Sequence, residues 1–298
     1  MRSINAKGEP MGSVITVMNM KGGVGKTTVA MHIAGITARY NLNERLRKVL
    51  LIDYDPQFNL SQAFISAKKY FKLEEKRKTT ISILLEDDTE LDPYHLQVPG
   101  NEEPPKIVDI SYNIYHSRRG NKLDIIPSTL DLMYIALGQP GQSTKPIEAR
   151  FAKFMADSRD AYDLIFIDCH PAGSLFTKTS LACSDHVLIP VVPQQYALRG
   201  IGLMMKFIRA KRIGNSGPKP HILFNLTSRL KMSNEETQIR SDPKFSKLCM
   251  NETLKYFKAF SDPWEGRGFV WVSGKPYSTL AFHNLLRVAE EFLKRIEN

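Results

Sequence analysis

The sequence predicts an α/β fold, doubly wound around a mostly parallel sheet with helices on both faces. Three observations predict it. Short β-branched runs recur along the chain and are apolar throughout, as strands buried on both faces are. Helix-compatible stretches stand between them, the alternation of a parallel sheet. A glycine-rich segment joins the first run to the first helical stretch, where folds of this kind bind phosphate.

Taken in order, the first strand is Val14 to Val17, and the first helix runs from Lys26 to Tyr40. A second strand, Val49 to Ile52, ends at an acidic turn, and a third follows at Leu123 to Ile126. Helix Ile147 to Ser158 leads to strand Leu164 to Ile167, then to strand Val187 to Val192 and helix Ile201 to Ile213. Strand Ile222 to Leu226, strand Phe269 to Val272 and helix Thr279 to Ile296 complete the pattern. Two regions dilute it: about 68–120, with an acidic run from Glu86 to Asp92 and Pro104-Pro105, and about 228–268, with Asp242-Pro243 and Asp262-Pro263. Both read as elaborations on a single domain spanning 1–298.

Composition narrows the function. The chain has 298 residues, 42% of them hydrophobic, and a net charge of +10. That usage excludes disordered and collagen-like classes. No stretch approaches the roughly 18 apolar residues of a membrane span, and the N-terminus lacks the apolar core of a signal peptide, so a cytoplasmic location is expected. Cys169, Cys183 and Cys249 are widely spaced and contain no CxxC pair, which points to reduced thiols and not to a disulfide framework or zinc site. The basic excess suits an acidic partner, nucleic acid or anionic lipid. About a dozen residues precede the first strand, too few for an N-terminal helix-turn-helix domain.

Lys21-Gly22-Gly23-Val24-Gly25-Lys26-Thr27-Thr28 lies between a strand and a helix. Glycines let backbone amides converge on phosphate oxygens, and the helix N-terminus adds a favourable dipole. Lys26 is placed to reach the β and γ phosphates, and the Thr27 hydroxyl to ligate Mg²⁺. The strict phosphate-loop pattern asks for glycine at position 20; this chain has Met20, followed by a second lysine, Lys21.

MKGGVGKTT resembles the deviant Walker A motif of the ParA/MinD family of P-loop ATPases. Four further segments resemble that family in order: Asp53-Tyr-Asp55-Pro56-Gln57-Phe-Asn59, Leu123 to Ser128, Ile165 to Pro171, and Val187 through Gln194 to Ile201. The likeness runs from about Val14 to Ile213 and is closest to stand-alone ParA-type partition ATPases. It implies ATP and Mg²⁺ as cofactors and an ATP-dependent homodimer in which Lys21 reaches the partner's phosphates, neutralising charge as an arginine finger does. It implies that Asp55 orients the attacking water, that Thr27, Asp53 and Asp168 organise Mg²⁺, partly through water, and that Asn225 contacts adenine. A solvated turn is the alternative for Asp53 and Asp55, and a turn or cap for Asn225.

The family's function would then be partition: a dimer that binds double-stranded DNA without sequence preference, is stimulated to hydrolyse ATP by a ParB-like centromere-binding protein, and associates with the nucleoid. The alternative is a membrane-associated spatial regulator of the MinD type. The last helix carries an apolar stripe from Phe282 to Ile296, but its polar face mixes charges where a membrane-surface helix would be enriched in Lys and Arg. Core packing and no stable membrane association are expected. For DNA, the acid-free stretch with Arg199, Lys206, Arg209, Lys211, Arg212 and Lys219 is the candidate surface, with Lys68 to Lys78 as a second.

Overall fold

The computed structural model describes residues 11–87, 91–92, 96–100, 102–136, 143–170, 174–210, 217–261 and 268–297. Its strands are β1 (Ser13–Val17), β2 (Lys48–Tyr54), β3 (Tyr112–His116), β4 (Lys122–Ile126), β5 (Leu164–Cys169), β6 (His186–Val191) and β7 (Lys219–Phe224). They form one sheet in the order β3-β4-β2-β5-β1-β6-β7. Every pairing is parallel except β3 with β4. The chain builds β2 through β5 on one side of β1 and β6 and β7 on the other, so the C-terminal end of β1 lies where the winding reverses, the usual place for a ligand.

The helices are α1 (Lys26–Tyr40), α2 (Asn59–Phe64), α3 (Ala67–Glu75), α4 (Ile81–Leu84), α5 (Ile107–Ile110), α6 (Leu132–Ala136), α7 (Lys145–Ala161), α8 (Leu175–Cys183), α9 (Ala197–Ala210), α10 (Asn234–Ser241) and α11 (Ser278–Glu297). Alternate strand residues feed two cores. Val14, Leu50, Ile52 and Ile165 pack under α7, α8 and α9, while Ile15, Val17, Leu51 and Phe166 pack under α1 and α11. Central strands bury both faces, which is why they read as unbroken apolar runs. The apolar stripe of α11 is spent on this second core: Leu285, Val288, Ala289, Phe292 and Ile296 are all buried there.

Three expectations are corrected. Phe269 to Val272 is not a strand; Val270–Val272 is a 3₁₀ turn, closed by the Val272 N–H donating to the Phe269 carbonyl at 3.0 Å and the Ser273 N–H to the Val270 carbonyl at 3.3 Å, with the rings of Phe269 and Trp271 stacked at 4.4 Å. The strand expected over 222–226 stops at Phe224, since Leu226 turns to a left-handed φ of 54°. The first diluted region holds a strand that the pattern did not announce: β3 is half-exposed at the sheet edge, antiparallel, with a register shift between Asn113 and Tyr115. At the opposite edge, single bridges join Ile222 to Cys249 and Thr227 to Lys255, so the second elaboration lies along β7. All three cysteines are free thiols, two of them buried.

Gly35 sits in the middle of α1, where glycine costs about 1 kcal/mol relative to alanine. A Cβ there would lie 2.2 Å from a ring carbon of Phe269. The glycine admits the 268–272 segment onto the helix, and His32, one turn earlier, fastens it. His32 Nε2 accepts from the Val270 N–H at 3.1 Å and its Nδ1 bonds the Thr28 carbonyl at 2.8 Å. The donor on Val270 and the acceptor on Thr28 together fix the tautomer, with the proton on Nδ1.

Candidate phosphate-binding site

The loop between β1 and α1 is built for an anion. Gly25 caps α1 at a φ of 82°, no side chain caps the helix, and its first turn carries no acid. The amides of that turn are therefore free to meet a ligand, and the helix dipole favours a negative one. Gly22, Gly23, Gly25, Lys26, Thr27 and Thr28 line a cavity of about 870 Å³ that also takes in Asp55, Gln57 and Asn59. The whole chain's net charge of +10 adds to this local preference.

Two asparagines hold the loop in shape. Asn19, which the sequence pattern does not single out, donates from Nδ2 to the Pro190 carbonyl at 2.7 Å and accepts the Lys21 N–H at 3.1 Å. Asn225 is 1% exposed and donates from Nδ2 to the Val24 carbonyl at 2.8 Å. A Cβ on residue 25 would lie 2.4 Å from that nitrogen, so glycine is required twice over. Asn225 thus braces the loop from β7; an adenine contact would use its other amide atom. The Asn19 brace has no spacing that sequence alone could flag, because it is set by the pairing of β1 with β6.

The two strand-end acids differ. Asp53 and Asp168 are register partners across β2 and β5, and both are almost wholly buried. Asp53 Oδ2 accepts from the Ser61 hydroxyl at 2.6 Å and the Ser61 N–H at 2.8 Å, which ties β2 to α2. Burial pushes its carboxyl well up, Asp168 adds to the rise, and the Ser61 bonds oppose it. Asp168 has no hydrogen bond of ordinary geometry at either oxygen. Burial raises its pKa to about 7, with the nearby Thr27 hydroxyl and Lys26 ammonium pulling down and Asp55 pushing up. A buried carboxylate with both oxygens orphaned beside a hydroxyl and an ammonium fits a hard dication and its waters. Among the described residues no cluster of three or more His, Cys, Asp or Glu could hold a metal, and a magnesium ion that keeps its water needs none.

Asp55 lines the cavity, its Oδ1 accepting the Gln57 N–H at 3.0 Å and its carbonyl taking the Phe58 N–H and the Ser128 hydroxyl. Lys21 is exposed and is not among the residues lining the cavity, whereas Lys26 is buried and lines it. Arg199, Lys206 and Arg209 are exposed on α9, and Lys219 opens β7 at the opposite end of the sheet from the loop. Lys211 and Arg212 lie outside the described residues.

A parallel sheet with an uncapped glycine loop at its winding reversal, a lysine at the head of α1 and an orphaned strand-end aspartate define a P-loop nucleoside-triphosphatase. The family model described as an AAA domain matches residues 12–216, and the chain belongs to that family, as a P-loop ATPase of the ParA/MinD type. It is 28% identical over 199 residues to the sporulation initiation inhibitor protein Soj of Bacillus subtilis, covering 67% of this chain and 66% of Soj. In fold it is similar to a plasmid partition protein from Borrelia burgdorferi bound to AMPPNP, with a TM-score of 0.66 and 22% identity over 96% of this chain and 99% of that one. It is likewise similar to pNOB8 ParA bound to nonspecific DNA, with a TM-score of 0.61 and 23% identity over 97% and 99% of the two chains.

Proposed function

We propose that the whole chain is one ParA-type ATPase domain that binds Mg·ATP in this cavity, dimerises on it, and in that state binds double-stranded DNA without sequence preference. Hydrolysis, stimulated by a ParB-like centromere-binding partner, releases the DNA and drives segregation of a plasmid or chromosome on the nucleoid. The observation that carries this reading is the division between the two lysines. Lys26 lines the cavity, where it holds the β and γ phosphates, and Lys21 is exposed and does not line it, free to meet the phosphates of a second subunit. Thr27 and Asp168 hold Mg²⁺, with Asp53 behind them fixing α2; the ion supplies charge neutralisation at the phosphates. Asp55 orients the attacking water, and Asn225 reaches adenine through its Oδ1. The reading draws further support from the Soj likeness and from a DNA-bound structure of similar fold.

Equilibrium titration with a fluorescent ATP analogue, on wild type and on Lys26→Ala, tests the phosphate site. The variant is expected to lose binding, and unchanged affinity would sink the assignment. Retardation of unrelated duplexes with and without ATP, beside flotation with anionic liposomes, tests the rest. ATP-dependent retardation supports partition. Flotation without retardation would favour the membrane-regulator class.

A further inference from the structure

We infer that Ser128, just past the end of β4, is a positioning residue for ATP hydrolysis: it holds the turn that carries Asp55, and with it the carboxylate that orients the attacking water. The inference rests on the role given to Asp55 above. Ser128 closes the Leu123 to Ser128 segment, to which that reading assigns no part. It is wholly buried, and each of its three polar groups reaches the acidic turn or a residue that braces it. Its hydroxyl donates to the Asp55 carbonyl at 2.7 Å. Its N–H donates to Ser61 Oγ at 2.9 Å, and that hydroxyl in turn donates to Asp53. Its carbonyl accepts from the Tyr70 hydroxyl at 3.0 Å, a proton that Tyr70 shares with Glu74 Oε1 at 2.9 Å.

The turn is short and held at both ends. The Phe58 N–H donates to the Asp55 carbonyl at 2.9 Å, closing a four-residue turn with Pro56 at its second position, where a locked φ is favoured. That carbonyl thus takes two donors, one from within the turn and one from Ser128. Asp55 Oδ1 accepts the Gln57 N–H at 3.0 Å, which sets the orientation of the carboxylate and leaves Oδ2 to a water. At the far end Phe58 has a left-handed φ of 42°, a strained backbone for a bulky residue that its surroundings must over-determine. Its ring stacks on that of Tyr70, with centroids 5.1 Å apart and planes 13° from parallel. Tyr70 therefore holds one end of the turn with its ring, and with its hydroxyl steadies Ser128, which holds the other.

Architecture alone does not demand the Ser128 hydroxyl. The Asp55 carbonyl keeps the Phe58 N–H when the hydroxyl is removed, so no buried acceptor is orphaned. What is lost is the point that fixes Asp55 against the end of β4, and a displacement of about 1 Å at such a group is enough to slow a reaction. Ser128 is not among the residues lining the cavity, so ATP has no direct contact to lose.

Basal phosphate release over a range of ATP concentrations, beside titration with a fluorescent ATP analogue, tests the inference. Ser128→Ala is expected to lower kcat about tenfold while KM and analogue affinity stay within about twofold of wild type. Tyr70→Phe keeps the ring on Phe58 and removes only the hydroxyl, with an expected loss in kcat of about threefold. Ser158→Ala removes an equally buried hydroxyl, bonded to the Phe154 carbonyl at 2.7 Å in α7, and is expected to leave the rate unchanged. Because Ser128 works through Asp55, Ser128→Ala added to Asp55→Ala is expected to leave the residual rate of Asp55→Ala as it is. Asp55→Ala releasing phosphate at the wild-type rate removes the role given to Asp55, and this inference with it. A slow Asp55→Ala beside a Ser128→Ala of wild-type rate keeps that role and overturns the inference alone. A double variant slower than Asp55→Ala, a loss of ATP affinity that matches the loss of kcat, or a Ser158→Ala as slow as Ser128→Ala also overturns it, since each makes the hydroxyl a matter of general structure. Should Ser128→Ala fail to fold by circular dichroism, Tyr70→Phe decides, and an unchanged kcat there overturns the inference.

Discussion

Asp53 and Asp168 face each other across adjacent strands, and a reading of residue types treats them alike. Their neighbours separate them. Ser61, eight residues after Asp53 and brought back by the turn into α2, takes up the one; the other is left without a hydrogen bond. The same separation applies to the lysines, one in the cavity and one outside. Lys21→Ala is accordingly expected to bind nucleotide yet fail to dimerise productively, while Asp55→Ala is expected to dimerise and fail to turn over. Light scattering with ATP, read beside phosphate release, distinguishes them. Both variants hydrolysing at the wild-type rate would refute the assigned roles. The glycines and lysines of the loop are legible in the sequence because phosphate binding demands them in one contiguous stretch. Asn19 is not, because its partner Pro190 is 171 residues away and only the pairing of β1 with β6 brings them together.

Secondary elements show where periodicity is informative. Five of the seven strands are buried on both faces and are legible as apolar runs, as is β7 apart from its ends. β3 is not, because an edge strand with the sequence Tyr-Asn-Ile-Tyr-His alternates weakly and lies inside a polar elaboration. The reverse holds at 269–272, where a β-branched and aromatic composition suits a strand but the rings find a better surface on α1. That contact gives a test at this scale. Gly35→Ala raises intrinsic helix propensity, yet the added methyl meets the Phe269 ring. Overpacking is expected to prevail, lowering stability by about 1–3 kcal/mol in a denaturant titration. A more stable variant would mean that the 268–272 segment moves aside at little cost.

For the molecule as a whole, two buried imidazoles make acid destabilising. His32 is fully buried between Thr28 and Val270, and burial lowers its pKa to about 4, the Thr28 bond opposing. His221 bonds His186 at 3.0 Å and is lowered to about 3, by burial first and then by His186, Arg295 and Lys219. Both folded-state values lie below that of an unfolded histidine, so the unfolded chain gains protons that the native one refuses. The stability these two imidazoles contribute is therefore full above about pH 6.5 and is lost as the pH drops from there toward 4, while Asp53 and Asp168, whose carboxyls burial raises, contribute with the opposite sign. His32 alone accounts for about 3 kcal/mol of that fall. Urea titrations of wild type and His32→Gln between pH 7 and 4.5 should show wild type losing stability relative to the variant as the pH falls; parallel curves would mean that His32 titrates freely in the folded state.

The two borders of the sheet carry a consequence for crowding. At one, the register shift in β3 interrupts the row of amides and carbonyls that another strand would need. At the other, the 249–255 segment already occupies the ladder along β7. Neither border offers a ready template, so high local concentration does not by itself seed amyloid-like growth through these strands. Contacts between crowded copies are thereby left to side-chain surfaces, away from the backbone edges of the sheet.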